Sequence, residues 1–381
     1  MLSEKLLEWI KAETLQSNEP VYLYDKDKII ETCNQFKNIS YPNTAIHFAT
    51  MANCNPEFLI IIKDQGFNVF INSLIHLNEV KQAGFNNEQI IFTASSINRE
   101  MLHRTHDEDI HVNLDSVTQL DYWFKNFPDK PVGIRCNIYN KSFNPKSGRT
   151  GVFIGENSRL GLNPEEIKSI KNKDQINGLH IYIGTDITDI DYFISYYKML
   201  IELSQDFPNI EYLDFGGGFG IDKNGETNFD FETYNKCISE LMTKLSEKRG
   251  KTIKLILEPG RILGGQSGYF ICKTTDVKFR NEIQFIGVNA CSTQFPRPLL
   301  YPEESFHPVW LLDKNGKVKD ENKITTKING CSTYSRDYLA HNVMLPKAKI
   351  GDFIVLGNAG AYCASMYSTF LGFEKPKEIF I

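Results

Sequence analysis

Three successive glycines and a nearby charged pair are the residues of this sequence best suited to bind an anion. The glycines, Gly216 to Gly218, end the stretch IEYLDFGGG, and Glu258 and Arg261 lie in the stretch EPGR. Consecutive glycines leave backbone N–H groups open to an anion such as phosphate. The glycines alone fit a tight strand-to-helix turn equally well. Charged groups clustered at a pocket favour a functional site, so we interpret the two stretches together as a phosphate site.

A second set of residues is suited to ligate iron or another metal. GLHIYIGT carries His180 and Tyr182, and HFATMANC carries His47, Met51 and Cys54. Tyrosinate, imidazole and thiolate are all known haem ligands. The two histidines are also typical of hydrogen-bonded core residues, and Cys54 is typical of a buried thiol. No H-x-x-x-H or C-x-x-C spacing supports a dedicated metal site, so these residues are open candidates.

The elements that must position these residues are eight short apolar runs, each followed by helix-compatible sequence. Parallel strands that are covered on both faces have this near-continuous apolar character. The pattern predicts a (β/α)₈ barrel, whose site lies at the carboxyl ends of the strands. The eight runs are 45–51, 67–72, 89–94, 110–115, 132–138, 176–184, 209–217 and 254–260.

The remaining sequence predicts a smaller β domain. From about residue 266, strand and turn patterns with Gly, Pro and Asn replace the helical periodicity. We expect residues 29–265 to form the barrel and 266–381 the β domain. Residues 1–28 would supply a helix and a strand that joins the β domain.

Composition narrows the class of protein. With 381 residues, 41% hydrophobic residues and no apolar run long enough to span a bilayer, the chain is expected to be globular and cytoplasmic. A net charge of −5 without a Lys/Arg block argues against a nucleic-acid surface. The eight cysteines are far apart, which is typical of reduced core thiols.

Six motifs in order give the chain a family resemblance. Over about residues 20–375 it resembles the fold type III pyridoxal-phosphate decarboxylases, which include diaminopimelate and ornithine decarboxylases. The resemblance implies a barrel of the alanine racemase type followed by a C-terminal β domain, and a head-to-tail homodimer. The motifs are VNLDSVTQL, SRLGL (158–162), LDFGGGFG (213–220), EPGR (258–261), VNACSTQFPRPLLY (288–301) and the stretch 351–373 with its NAGAY.

The resemblance also implies roles for individual residues. Glu258 would face a pyridine nitrogen and keep it protonated. Pyridoxal phosphate and an amino-acid ligand would be the bound molecules. The implied phosphate contacts are Gly216, Gly217, Gly218, Thr185 and Tyr362, and the implied substrate contacts are Arg261, Arg297, Tyr301, Tyr334 and Tyr362.

The sequence departs from the family pattern where the covalent chemistry should lie. The family's Y-A-x-K-A-N is here FATMAN, with Met51 in place of the Schiff-base lysine, and no lysine lies between Lys37 and Lys63. Tyr182 stands where the family has a ring-stacking histidine. The family's C-[ED]-S-x-D begins here with Thr333 and Tyr334, which removes the catalytic cysteine and the acid that reads the substrate side chain.

Two hypotheses follow from these departures. A thioether is neither a nucleophile nor a base, so covalent attachment of pyridoxal phosphate through Met51 is not expected. The first hypothesis is an enzyme that acts on an amino acid or its derivative by other chemistry, with noncovalent pyridoxal phosphate, haem or a metal as the open cofactor choices. Its altered reactive face would include Met51, His180, Tyr182 and Thr333. The second is a non-catalytic binding or regulatory relative.

Overall fold

The computed structural model describes residues 2–14, 19–221 and 229–381. The chain forms two compact units. One contains the described residues between 30 and 263, and the other contains those between 2 and 29 and between 264 and 381. None of the helices in these ranges is both long and apolar enough to cross a bilayer.

Eight parallel strands close into a barrel in the first unit, which confirms the predicted fold class. Each strand pairs with its neighbours in chain order, and the last pairs with the first. The side chains of these strands are largely buried on both faces, as expected for strands that lie beneath helices. The barrel strands are β2 (Thr44–Ala49), β3 (Asn68–Ile71), β4 (Ile90–Thr93), β5 (His111–Leu114), β6 (Val132–Arg135), β7 (Ile176–His180), β8 (Tyr212–Asp214) and β9 (Lys254–Leu257).

Helices follow the barrel strands, and local sequence defines where several of them begin. At the first one, the Asn55 side chain accepts a hydrogen bond from the Glu57 amide and a proline occupies the first helical position. Ser73, Asn98 and Ser116 cap later helices in the same way. These helices are α3 (Pro56–Asp64), α4 (Leu74–Gln82), α5 (Arg99–Asp107), α6 (Val117–Asn126), α7 (Pro164–Ser169), α8 (Ile190–Ser204), α9 (Phe231–Arg249) and α10 (Arg261–Gly264), and α2 (Lys26–Lys37) precedes the first barrel strand.

The second unit is a nine-stranded sheet with a short N-terminal helix, α1 (Glu4–Trp9). The early strand β1 (Val21–Tyr24) belongs to this sheet and pairs with β10 (Gly268–Arg280) and β17 (Lys377–Phe380). Tyr22 and Phe295 lie in its aromatic core. The other elements are β11 (Ile283–Val288), α11 (Arg297–Leu300), β12 (Val309–Leu312), β13 (Val318–Lys319), β14 (Ile324–Asn329), β15 (Tyr338–Leu345) and β16 (Phe353–Leu356).

Candidate active site

The carboxyl ends of three neighbouring barrel strands bring His180, Asp214 and Glu258 together. His180 is the last residue of β7, Asp214 is the last residue of β8, and Glu258 directly follows β9. All three side chains are buried, and one ligand atom from each lies within 4.8 Å of the others. His180 Nε2 is 3.3 Å from Glu258 Oε2. The sequence analysis named His180 and Glu258, but it missed Asp214, although this residue directly precedes the stretch FGGG.

Burial shifts the pKa of each group in this cluster. Burial and the neighbouring Glu258 carboxyl raise the pKa of Asp214 well above its usual value. Burial also raises the pKa of Glu258 to about 7, against the opposing effects of the Asp214 hydrogen bond and the Arg135 guanidinium. Burial lowers the pKa of His180 to about 4. Burial therefore favours the neutral imidazole of His180 and the protonated forms of the two neighbouring carboxyls.

The three glycines form a turn that the cluster itself helps to hold. The Gly216 amide donates to Asp214 Oδ1 at 2.9 Å, and the Glu258 amide donates to the Gly216 carbonyl oxygen at 2.8 Å. Gly216 and Gly218 have φ values of 63° and 101°, and a Cβ on Gly217 would overlap the Glu258 carbonyl oxygen. Within the described residues, the Gly217 and Gly218 amides donate to no backbone carbonyl. The turn therefore has the form of the predicted anion cradle.

Tyr182 lies just past β7 in contact with two groups that the sequence analysis did not name. Its ring meets the Phe153 ring edge-on at 5.1 Å between centroids. The Arg135 guanidinium lies 5.9 Å from the centre of the Tyr182 ring. The negative charges of Asp115 and Glu258 also stabilise the charged form of the Arg135 guanidinium. A charged residue inside the apolar run VGIRCNI was the signal that could have identified Arg135.

Arg261 pairs with an acid rather than standing free beside the glycine turn. Its Nε lies 2.5 Å from Asp186 Oδ1, and both side chains are mostly buried. Asp186 has a φ of 57°, and the adjoining Thr185 backbone exchanges two hydrogen bonds with Arg149 at 2.9 Å. Asp186 therefore places a carboxylate beside Thr185, a predicted phosphate contact, and Arg261, a predicted substrate contact.

Met51 lies in the turn that follows β2 and is partly exposed. The residues on either side fix this turn: the Ala52 amide donates to the Ala49 carbonyl at 2.9 Å, and Thr50 donates to the Phe70 carbonyl. The chain direction at Met51 is thus set by hydrogen bonds of the neighbouring residues, while its side chain contributes no donor and only a weak acceptor.

His47 is a structural histidine, in contrast to His180. Its ring nitrogens contact the Val69 carbonyl at 3.4 Å and the Asn68 amide at 3.2 Å. Burial lowers its pKa to about 3. Cys54 is partly buried. Among the described residues, His180 is the only one of the proposed His and Cys ligands that belongs to a cluster of potential metal-binding groups.

The remaining predicted site residues lie in the β unit. Arg297 is the first residue of α11, is buried, and places its guanidinium 5.4 Å from the Tyr301 ring centre. The Tyr334 ring meets the Phe370 ring edge-on. Tyr362 has a φ of 55°, and Thr333 is exposed. Arg297 and Tyr301 are therefore brought together, while Thr333, Tyr334 and Tyr362 lie in other loops.

The Asp337 carboxylate organises one of these loops. It accepts hydrogen bonds from the amides of Ser292 and Ser332, at 2.6 and 2.9 Å, and from the Ser332 hydroxyl at 2.5 Å. The loop that carries Thr333 and Tyr334 is thereby tied to the segment that leads into α11.

The first unit is a closed parallel barrel with polar groups at its strand ends, and the chain also carries a mixed β sheet. Together these features define the class of alanine-racemase-like barrel proteins. Residues 26–265 match the family model described as the pyridoxal-dependent decarboxylase, pyridoxal binding domain. The chain belongs to this family, which confirms the resemblance found in the sequence.

Comparisons with individual proteins agree with this assignment. Diaminopimelate decarboxylase of Escherichia coli strain K12 is 29% identical over 372 residues, which cover 92% of this chain and 86% of that protein. A crystal structure of a diaminopimelate decarboxylase superposes with a TM-score of 0.85 at 26% identity, covering 96% of this chain and 89% of that one. The diaminopimelate decarboxylase of Helicobacter pylori complexed with L-lysine has a TM-score of 0.83 at 21% identity, covering 97% and 93% of the two chains. The protein is thus built on a decarboxylase scaffold.

The pyridoxal group that the family name implies fits part of this site. The glycine turn could receive a phosphate, and Glu258 Oε1 is buried without a hydrogen-bond partner in the described structure, as an acceptor for a ring nitrogen would be. At the end of β2, Met51 has no amine with which to bond an aldehyde. These residues therefore fit noncovalent binding of the group.

Proposed function

We propose that this protein binds an amino acid or an amino-acid derivative at the mouth of the barrel and acts on it without a covalent lysine–cofactor bond. The observation that carries the proposal is Met51, which occupies the turn after β2 in a stretch without lysine from residue 38 to residue 62. The Helicobacter pylori relative complexed with L-lysine supports an amino-acid-like ligand.

Several polar groups support ligand binding. His180 Nδ1 and Glu258 Oε1 are both buried without a hydrogen-bond partner in the described part of the chain. Buried polar groups are costly unless a ligand or another group satisfies them. Pyridoxal phosphate, when bound, would supply an electron sink for reactions next to an amino-acid carbon. In that case Glu258 would hold the ring nitrogen and the turn at Gly216 to Gly218 would hold the phosphate.

The first experiment measures binding and turnover together. Candidate amino acids are titrated into the purified protein by calorimetry, with and without added pyridoxal phosphate, and the mixtures are assayed for new products by mass spectrometry. Saturable binding with product formation is expected. Binding without product under every cofactor condition would favour the non-catalytic relative, and no binding at all would contradict the proposal.

The second experiment tests Met51 directly. The substitution Met51→Lys should permit a borohydride-reducible covalent adduct with pyridoxal phosphate, detected by intact-protein mass, which the wild-type protein should not form. Met344→Lys, at an exposed methionine of β15 in the other unit, is the matched control. An adduct of equal yield on the wild type would contradict the proposal.

The oligomeric state is a separate prediction. The family resemblance predicts a homodimer, and light scattering of the purified protein at several concentrations measures it.

A further inference from the structure

We propose that Cys291 and Cys331 of the β unit form a disulfide site, at which oxidation links the loop 331–337 to the segment that leads into α11. The site is independent of the proposed function, because it lies in the β unit and needs no ligand at the barrel mouth. Both cysteines are free thiols in the structure.

The two cysteines lie opposite each other on adjacent segments of the sheet. β11 and β14 pair in parallel, and the Cys331 amide, two residues past β14, donates to the Ala290 carbonyl oxygen at 2.9 Å. In a parallel pair, an amide donates to the residue just before the one that it lies opposite, so Cys331 lies opposite Cys291. Adjacent strands are about 5 Å apart, which is within the Cα separation of about 4.4–6.8 Å that disulfide bonds span.

Cys272, on β10, is too distant to be the partner of Cys331. β11 lies between β10 and β14 in the sheet. Two strand spacings, about 10 Å, therefore separate Cys272 from Cys331, which exceeds the reach of a disulfide bond. The sheet order thus assigns Cys291 as the partner.

Exposure decides which thiol reacts first. Cys331 is exposed, whereas Cys291 is fully buried, so a small disulfide such as oxidised glutathione reaches Cys331. The Cys331 thiolate attacks one sulfur of this oxidant, which breaks its S–S bond and releases one glutathione. Cys291 then gives up its proton, attacks the Cys331 sulfur of the mixed disulfide and releases the second glutathione, which takes the proton. Two electrons pass from the cysteine pair to the oxidant.

Neighbouring groups affect both steps. Cys291 Sγ lies 3.0 Å from Thr293 Oγ1, whose hydroxyl can donate a hydrogen bond to the sulfur as it loses its proton. Burial, with smaller effects of Cys291 and Asp337, raises the pKa of Cys331 to about 11. At neutral pH this thiol is protonated and reacts slowly, so the pair stays reduced until an oxidant is in excess.

The bond would lock two segments that hydrogen bonds already hold together. The Asp337 carboxylate accepts from the amides of Ser292 and Ser332, one from each segment. A covalent link beside these bonds makes local opening of the loop rarer. The loop carries Tyr334 and the other segment leads to Arg297, so oxidation would restrain two predicted substrate contacts.

The test is mass spectrometry of the whole chain. The protein is equilibrated in mildly alkaline glutathione buffers with an increasing oxidised share, alkylated, and digested with trypsin without reduction. Cys291 and Cys331 are then the single cysteines of peptides 281–314 and 328–336. We expect these two peptides to be linked, two hydrogen atoms lighter than their sum, and to separate on reduction with dithiothreitol. Peptide 262–273, which carries Cys272, should stay unlinked.

Variants assign the link to the two residues. Cys291→Ser and Cys331→Ser should each abolish it, whereas Cys237→Ser, at a partly buried cysteine of α9 in the other unit, should leave its yield unchanged. The wild-type measurement does not depend on how the variants fold. No link at any glutathione ratio, a lasting glutathione adduct on Cys331, or a link to Cys272 would overturn the proposal.

Hydrogen exchange measures the restraint on the loop. The amides of residues 332–337 should exchange more slowly in the oxidised wild type than in the reduced wild type. This difference should vanish in Cys331→Ser treated with the same buffers. Equal exchange in both forms of the wild type would overturn the assigned locking of the loop.

Discussion

The middle and the mouth of the barrel both contain buried polar side chains, but these side chains differ in whether they have hydrogen-bond partners. In the middle, Tyr212 Oη donates to Asn113 Oδ1 at 2.7 Å, and Asn113 Nδ2 donates to Thr93 Oγ1 at 3.1 Å. At the mouth, His180 and Glu258 each retain one buried atom without a partner in the described structure. The difference separates side chains that stabilise the barrel from side chains that are available to a ligand.

The two buried histidines, His47 and His180, show the same difference in hydrogen-bond partners within one residue type. Burial lowers the pKa of both, to about 3 for His47 and about 4 for His180. Both ring nitrogens of His47 lie within hydrogen-bond distance of atoms in the neighbouring strand, whereas His180 Nδ1 has no hydrogen-bond partner among the described residues. A lowered pKa alone therefore does not distinguish the two histidines, whereas their hydrogen-bond partners do.

The largest effect on stability is expected in the middle of the barrel. Asn113→Ala should lower the free energy of unfolding by about 3 kcal/mol, because it leaves a cavity and removes the acceptor of the buried Tyr212 hydroxyl. Chemical denaturation measures this loss, and Asn126→Ala, at an exposed helix position, is the control. A loss under about 1 kcal/mol would mean that the middle network contributes no more than surface contacts do.

Glu258→Gln, in contrast to Asn113→Ala, should raise the free energy of unfolding in neutral to weakly basic solution. The native pKa of about 7 lies above the usual value of 4.5, so the folded state binds the proton more tightly than the unfolded state. The wild type therefore loses stability as pH rises from about 4.5 through 7, and the amide variant avoids this loss. We expect the variant to gain on the order of 2 kcal/mol relative to wild type between pH 5 and pH 8.

Denaturation curves of both proteins at several pH values in this range measure the gain. A variant that is less stable than wild type at every pH would place Glu258 among the structural groups, and the contrast between mouth and middle would fail.

An effect of similar size is expected for His47→Gln in mild acid. Because burial lowers the His47 pKa from 6.5 to about 3, the unfolded state binds a proton that the folded state rejects. Wild-type stability should therefore fall as pH drops below 6.5, by roughly 1 kcal/mol per pH unit in excess of the variant. Thermal unfolding between pH 4.5 and 7 measures the two slopes. The control is His103→Gln, at an exposed position. If stability changed with pH at the same rate in all three proteins, His47 would not be a histidine whose pKa is lowered by folding.

Much of the fold could be predicted from sequence because its signals are local and periodic. The eight apolar runs predicted the barrel; seven of them contain the corresponding strand in full, and the run 45–51 begins one residue after β2 does, at Thr44. Several predicted runs extended past the strand ends: 176–184 contains β7, which ends at His180, and 209–217 contains β8, which ends at Asp214. Residues just past a strand stay apolar because they still pack in the barrel, so composition cannot mark where pairing stops.

The candidate site was only partly predictable for a different reason. Glu258, His180 and the glycine run were visible because their types and order match a known pattern. Asp214 lay inside a quoted motif but was given no role, and Asp186 had no distinguishing signal in sequence. Its pairing with Arg261 joins positions 75 residues apart through the turn after β7 and the start of α10.

The sequence by itself determined the class of fold and the residue type at position 51, where a methionine offers no amine to an aldehyde in any conformation. The tertiary structure decided which polar groups meet. Barrel closure sets three strand ends side by side, and this places an imidazole and two carboxyls from positions 180, 214 and 258 in one buried cluster. Distances between residues so far apart in the chain depend on strand register, which is set by the packing of the whole barrel rather than by any local stretch.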